Sequence, residues 1–178
     1  MLHETHETAA SQWICRARDR KTSKAATVSS RTIRSWRFVL QSAVEALHME
    51  SLAEHGGLAG IRDRGLLDSA LNRCKNKAGY KVDSNVYDLA AALAFGIAKN
   101  HPFHDGNKRI ALIASFLFAE LNGVRLTATE VDAAATFLAL AAGELSEADL
   151  AKWFKANSRV KTIRRLRKLN RPQIIERG

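Results

Sequence analysis

Apolar residues begin to recur at helical spacing at Trp36: Trp36, Val39, Leu40, Ala43, Val44 and Leu47 share one face, a period that predicts an amphipathic helix. His55-Gly56-Gly57 ends it, since glycine readily terminates helices. The glycine-rich stretch Leu58 to Gly65 has no helical period and reads as a loop or short hairpin. Leu66, Leu67, Ala70 and Leu71 open a second helix that runs to about Ala78, and Asp83 or Ser84 caps a third. The interior of that third helix, Leu89 to Ala98, is apolar nearly all round, which marks a central, buried element. After a polar break from Asn100 to Gly106, Ile110 to Phe118 form another buried helix, closed by Asn122-Gly123. Thr129 with Asp132, and Ser146 with Asp149, place a cap oxygen three residues before an acidic side chain. They begin two further helices, the first ending at Gly143. With no internal repeat, heptad run or strong strand, the pattern predicts an all-α fold.

Composition narrows the class. The 178 residues are 46% apolar and 26% charged with only 2 Pro and 10 Gly, which excludes collagen-like, mucin-like and wholly disordered chains. No apolar run approaches the ~18 residues of a membrane span. Cys15 and Cys74 have no partner pattern and no apolar signal-peptide core follows the N-terminus, so a reducing cytoplasm is the expected compartment. A disulfide scaffold and a multi-cysteine zinc site are excluded. The net charge of +10 is unevenly spread: residues 1–35 carry +4, residues 36–154 carry −2 and residues 155–178 carry +8. The sequence therefore divides into a weakly ordered basic extension (1–35), a near-neutral domain (36–157) and a basic tail (158–178).

Candidate chemistry concentrates between the two most buried helices, at His101-Pro102-Phe103-His104-Asp105-Gly106-Asn107-Lys108-Arg109. Pro102 disfavours helix at Asn100-His101, and Gly106 permits a tight turn whose N–H groups open the next helix. Free N–H groups at a helix start, with Lys108 and Arg109 beside them, suit a phosphate. Asp105 can hold a hard divalent cation against it. His101 is the side chain suited to act as a base near neutral pH. A phosphate cradle, a metal carboxylate and a base within nine residues make a phosphoryl- or nucleotidyl-transfer site.

This segment resembles the Fic/Doc signature H-P-F-x-D/E-G-N-x-R, and within it the death-on-curing (Doc) branch; the resemblance covers about Trp36 to Asn157. Fic adenylyltransferases typically have Gly after the Asn and a second Arg three residues beyond the first, where this chain has Lys108 and Leu112. Both departures resemble Doc toxins, for which the family implies transfer of the ATP γ-phosphate to a protein hydroxyl, with elongation factor Tu as the example of a target. Gly106 is the Fic-like choice where some Doc proteins have Ala, so AMP transfer stays open. The resemblance implies a helical bundle with a short β-hairpin flap, and a toxin that uses ATP and Mg²⁺. It makes His101 the base, Asp105 the metal ligand, and Gly106, Asn107, Lys108 and Arg109 the phosphate holders, with Phe103 as an anchor and His104 facing solvent. Lys99 lies where some Doc toxins have a phosphate-facing Arg; a solvated lysine at a helix end is the other reading. Gly57, Leu58, Ala59, Gly60, Ile61, Arg62 and Asp63 resemble the flap that docks the target's backbone as an added strand. The self-inhibitory pattern S/T-x-x-x-E-G/N of many Fic proteins occurs nowhere in the sequence, so control is expected in trans, from an antitoxin that covers the ATP cleft.

Other signals are weaker. His3-Glu4-Thr5-His6 spaces its histidines three apart and lacks the helix of a zinc protease. Arg159 to Arg171 alternates basic residues with Val160, Ile163, Leu166 and Leu169, as a basic amphipathic helix or a frayed cationic tail would. The competing function is a nucleic-acid-binding regulator that works through these basic tails, or a contact with nucleic acid made only within an antitoxin complex; the near-neutral domain favours the enzyme.

Overall fold

A computed structural model describes residues 35–81 and 83–161. The chain separates into a unit of residues 1–35 and one of residues 36–178. The His3–His6 pattern, Cys15, the expected disorder of the extension and the amphipathic stretch beyond Lys161 lie outside the described residues. Among the described residues, six helices and two short strands follow in the order α1 (Gln41–His55), α2 (Arg64–Tyr80), α3 (Val86–Asn100), α4 (Asn107–Leu121), β1 (Val124–Leu126), α5 (Glu130–Ala142), α6 (Glu147–Ala156) and β2 (Ser158–Val160).

Helix α3 is the axis of the bundle, packed by α2, α4 and α6, and Leu89 to Ala94 with Ile97 and Ala98 are buried as their apolar run requires. Gly96 lets α2 come close: a Cβ there would sit 3.0 Å from Ala70 Cα. Asn85, rather than Asp83 or Ser84, caps α3, accepting from Tyr87 N and Asp88 N, while Asp88 returns to the Asn85 backbone. Ser84 is buried instead and its hydroxyl donates to Lys77 O. Thr129 and Ser146 cap α5 and α6 by accepting from Asp132 N and Asp149 N, as their spacing predicts.

Two other expectations change. Helix α1 starts at Gln41 and not at Trp36: residues 36–40 are not helical, and Leu40 is extended at φ −76°, ψ 148°. The Asn122 side chain occupies both backbone groups of Arg37, accepting from its N–H at 3.0 Å and donating to its carbonyl at 2.9 Å, which removes them from any helix. Phe38, held by that clamp, reaches the Phe118 ring at 6.1 Å. The second change is a small antiparallel sheet that joins Val124–Leu126 to Ser158–Val160, in register Val124↔Val160 and Leu126↔Ser158. The ordered chain thus continues past Asn157, and Lys161 adds a backbone bond to Gly123 O and an ion pair with Glu120.

Glu147 ties α6 to α2 through Arg73 (2.6 Å) and Lys77. Burial pushes its carboxyl pKa up, but the hydrogen bonds and charges of Lys77 and Arg73 outweigh that and hold it below the usual carboxylate range. Burial also pushes the Cys74 thiol up to about 12, so the thiolate needed for chemistry is not populated near neutral pH. Among the described residues no helix is long and apolar enough to cross a membrane.

Candidate active site

The loop between α3 and α4 is built around one buried ring. Phe103 is 1% exposed and stacks on His48 of α1 at 4.1 Å between centroids. Asn107, at the first turn of α4, brackets the same residue: its Oδ1 accepts from Phe103 N at 2.9 Å and its Nδ2 donates to Phe103 O at 2.8 Å. His48 Nε2 contacts Asp105 O at 3.0 Å, so α1 holds the loop by a ring stack and a polar contact. Gly106, at φ +75°, supplies the left-handed turn that opens α4.

His101 caps the end of α3 in a left-handed conformation (φ 48°, ψ 57°) and is the sole non-glycine with positive φ among the described residues. Such backbone strain persists only where surrounding structure enforces it, here the His101 N–H to Ile97 O bond and Pro102 beyond. The imidazole is exposed and makes no hydrogen bond among the described residues. His101, His104, Asp105, Gly106, Asn107, Lys108 and Arg109 line one open hollow of about 380 Å³ over the N-terminus of α4. The first N–H groups of a helix have no intrahelical acceptor, so the hollow joins two side-chain cations to the positive end of a helix dipole.

Asp105 is exposed at this opening, and its Oδ1 accepts from Gly106 N at 2.6 Å. Its Oδ2 lies where Gly57 approaches: a Cβ at Gly57 would stand 2.5 Å from that oxygen, so a side chain there would force the carboxylate aside. Among the described residues no group of three or more histidine, cysteine or acidic side chains converges to hold a metal. A single carboxylate fits Mg²⁺, which takes its remaining ligands from phosphate oxygens and water. Arg109 is half-buried and donates through Nη1 to Ser51 Oγ (3.2 Å) and Ser51 O (3.4 Å), which leaves its other donors for the hollow.

The remaining expected residues take other places. Lys99 does not line the hollow; its Nζ is 5.9 Å from the Phe95 ring centroid and beside Gly143 at the end of α5. Asn107 lines the hollow, but both ends of its amide are engaged with Phe103. The flap segment, Gly57 to Asp63, does not pair with itself. It lies along the motif loop, with a bridge from Ile61 to Phe103 and bonds from Arg62 N and Asp63 N to Pro102 O and from His104 N to Gly60 O. The α2 end of the flap is fixed because Asp63 caps that helix, accepting from Leu66 N. His104 faces solvent as expected. Leu112, where the Fic form has its second arginine, lines an apolar groove with Leu47 and Phe116.

Sequence reasoning missed His48 and Ser51. Both are polar residues on the buried face of α1, at 2% and 5% exposure, in series with Val44 and Leu52. A histidine and a serine interrupting an apolar stripe were the available signal, since buried polar groups need partners.

Known proteins are similar to this segment. Residues 38–119 match the Fic/DOC family model. The chain is 32% identical over 81 residues to the protein kinase doc of Escherichia phage P1, an alignment that covers 46% of this chain and 64% of the relative. It is 45% identical over 75 residues to the toxin Doc of Mycolicibacterium smegmatis (strain ATCC 700084 / mc(2)155), covering 41% and 57%. The chain thus spans less than two thirds of the length of either relative.

Proposed function

We propose, from the match of residues 38–119 to the Fic/DOC family model, that the chain is the toxin of a type II toxin–antitoxin pair. In this reading it is a cytoplasmic kinase that moves the γ-phosphate of ATP to a serine or threonine hydroxyl of a translation factor, elongation factor Tu being the candidate that the family resemblance supplies. The observation that carries the reading is the hollow itself: the exposed imidazoles of His101 and His104, an exposed carboxylate and two cations around the open N-terminus of α4.

The roles follow from chemistry. His101 takes the proton of the incoming hydroxyl on an imidazole nitrogen, and its lack of competing partners leaves both nitrogens available. Lys108, the free donors of Arg109 and the first N–H groups of α4 offset the charge on the phosphate oxygens. Asn107 keeps the loop in register by closing on Phe103. Asp105, fixed by the Gly106 N–H, would hold Mg²⁺, which when bound polarises the phosphoryl group and neutralises its oxygens. The flap, anchored on Pro102 and Phe103, presents the target backbone beside the hollow. With no self-inhibitory pattern in the sequence, inhibition comes from an antitoxin in trans, and any nucleic-acid contact belongs to that complex or to the basic tails.

Labelled ATP, the purified protein and purified elongation factor Tu test the assignment together. Label on the factor with the wild-type protein and none with His101→Ala supports it; a wild-type protein that labels neither the factor nor any protein of a cell lysate rejects it.

A further inference from the structure

Two buried polar side chains of α1 each reach one charged residue of the hollow. His48, 2% exposed, contacts Asp105 O through Nε2 at 3.0 Å, and Ser51, 5% exposed, accepts from Arg109 Nη1 at 3.2 Å. One turn of α1, from His48 to Ser51, thus matches the step from the carboxylate residue to the arginine four places on.

A carbonyl oxygen only accepts, so His48 Nε2 carries the hydrogen. The Asp105 carbonyl belongs to the peptide unit shared with Gly106, and the N–H of that same unit donates to Asp105 Oδ1 at 2.6 Å. The peptide is trans, so its C=O and N–H point to opposite sides. His48 therefore grips the buried end of the peptide, and the other end grips the carboxylate at the hollow. Hydrogen bonds in series through one peptide polarise one another. The His48 ring also backs the turn: a Cβ on Gly106 would stand 3.6 Å from His48 Cδ2. Ser51 acts on a side chain instead. Arg109 Nη1 donates to both Ser51 Oγ and Ser51 O, which fixes one nitrogen of the planar fork and leaves the other donors for the hollow. A guanidinium fixed in advance loses less freedom when it binds an oxyanion.

We infer that His48 and Ser51 are positioning residues of the transfer site: His48 sets the Asp105 carboxylate through the Asp105–Gly106 peptide, and Ser51 aims the Arg109 guanidinium. Neither touches the reacting groups. The inference rests on the kinase reading for the ligands, Mg²⁺ at Asp105 and phosphate at Arg109, and deepens it by assigning what prepares each of them.

Titration calorimetry with ATP on the full chain, with and without Mg²⁺, tests this beside thermal melts. His48→Phe keeps a ring on Phe103 and deletes the donor, with the smaller His48→Met in its place if that variant does not fold; His48→Gln restores an N–H. Ser51→Ala deletes the hydroxyl and Ser51→Thr restores it. In His48→Phe the expected ATP affinity without Mg²⁺ is that of the wild-type protein, while the gain that Mg²⁺ brings falls about fivefold or more. Ser51→Ala should weaken ATP by about three- to tenfold whether or not Mg²⁺ is present. The Gln and Thr variants should recover most of each loss. Each residue stands by its own variants: wild-type affinities in the folded protein, whatever the melting temperature, or a loss that the conservative variant does not recover, overturn its assignment and leave the kinase reading intact. A wild-type protein that binds no ATP with Mg²⁺ rejects both.

Discussion

Asn107 closes on Phe103 from both sides, its Oδ1 accepting from the Phe103 N–H at 2.9 Å and its Nδ2 donating to the Phe103 carbonyl at 2.8 Å. One amide thereby satisfies both backbone groups of a buried residue, which a carboxylate or an alkyl side chain cannot do. Asn107→Asp should be worse than its size suggests, because a carboxylate oxygen replaces the donor that faces Phe103 O. Both Asn107→Asp and Asn107→Ala should lose about 1–3 kcal/mol of stability, read from urea unfolding midpoints. Unchanged midpoints would remove Asn107 as the brace of the loop.

His101 has the opposite balance between stability and function. Its left-handed backbone costs about 1 kcal/mol that glycine would not incur. His101→Gly should therefore melt at or above the wild-type temperature while losing transfer, and Asp105→Ala should stay folded and lose it too. Phe103→Ala should instead lose about 3–5 kcal/mol, since the ring is 1% exposed. Thermal melts beside a transfer assay separate the groups, and wild-type activity in His101→Gly would remove His101 as the base.

The Glu147 bridge should appear in acid. Its folded carboxyl pKa lies below the ordinary value because Lys77 and Arg73 outweigh desolvation. A depressed folded pKa contributes stability that is present above the unfolded pKa, about 4.3, and is lost as pH falls through the folded value. Glu147→Gln should lower stability at neutral pH and reduce its fall below about pH 4.3. Parallel stability curves for the two proteins across that range would show that the bridge contributes nothing.

The chain from 36 to 161 should retain transfer, since every motif residue lies within it. Cutting at 157 instead removes β2, the Lys161–Gly123 backbone bond and the Lys161–Glu120 ion pair. The shorter protein should be less stable by about 1–3 kcal/mol. Equal stability would show that the β1–β2 pair is dispensable.

Legibility in the sequence followed the range of the interactions. Helices α3 and α4 were plain because their apolar runs have one burial solution, and the caps at Thr129 and Ser146 because the partner is three residues away. Periodicity misplaced the start of α1, because the clamp on Arg37 comes from Asn122, 85 residues distant. Strand β2 was hidden for the same reason: three residues carry little pattern, and their partner is β1. Within the site, residue types pointed to the imidazole, the carboxylate and the cations that line the hollow. They did not show that Asn107 spends its amide on Phe103, that His48 and Ser51 support the loop from α1, or that Lys99 lies beside Gly143.

Which phosphate of ATP moves separates a kinase from an adenylyltransferase. In the Fic arrangement a glycine after the Asn lets the α- and β-phosphates settle deep in the anion site, and a second arginine holds the γ-phosphate. Lys108 fills the first of those places and Leu112, lining an apolar groove, removes the second. Incubating the protein and its target with ATP labelled at the α or the γ position tests this most directly. Label is expected on the target from γ-labelled ATP only, with ADP as co-product. Label from α-labelled ATP with release of pyrophosphate would contradict it and make the protein an adenylyltransferase.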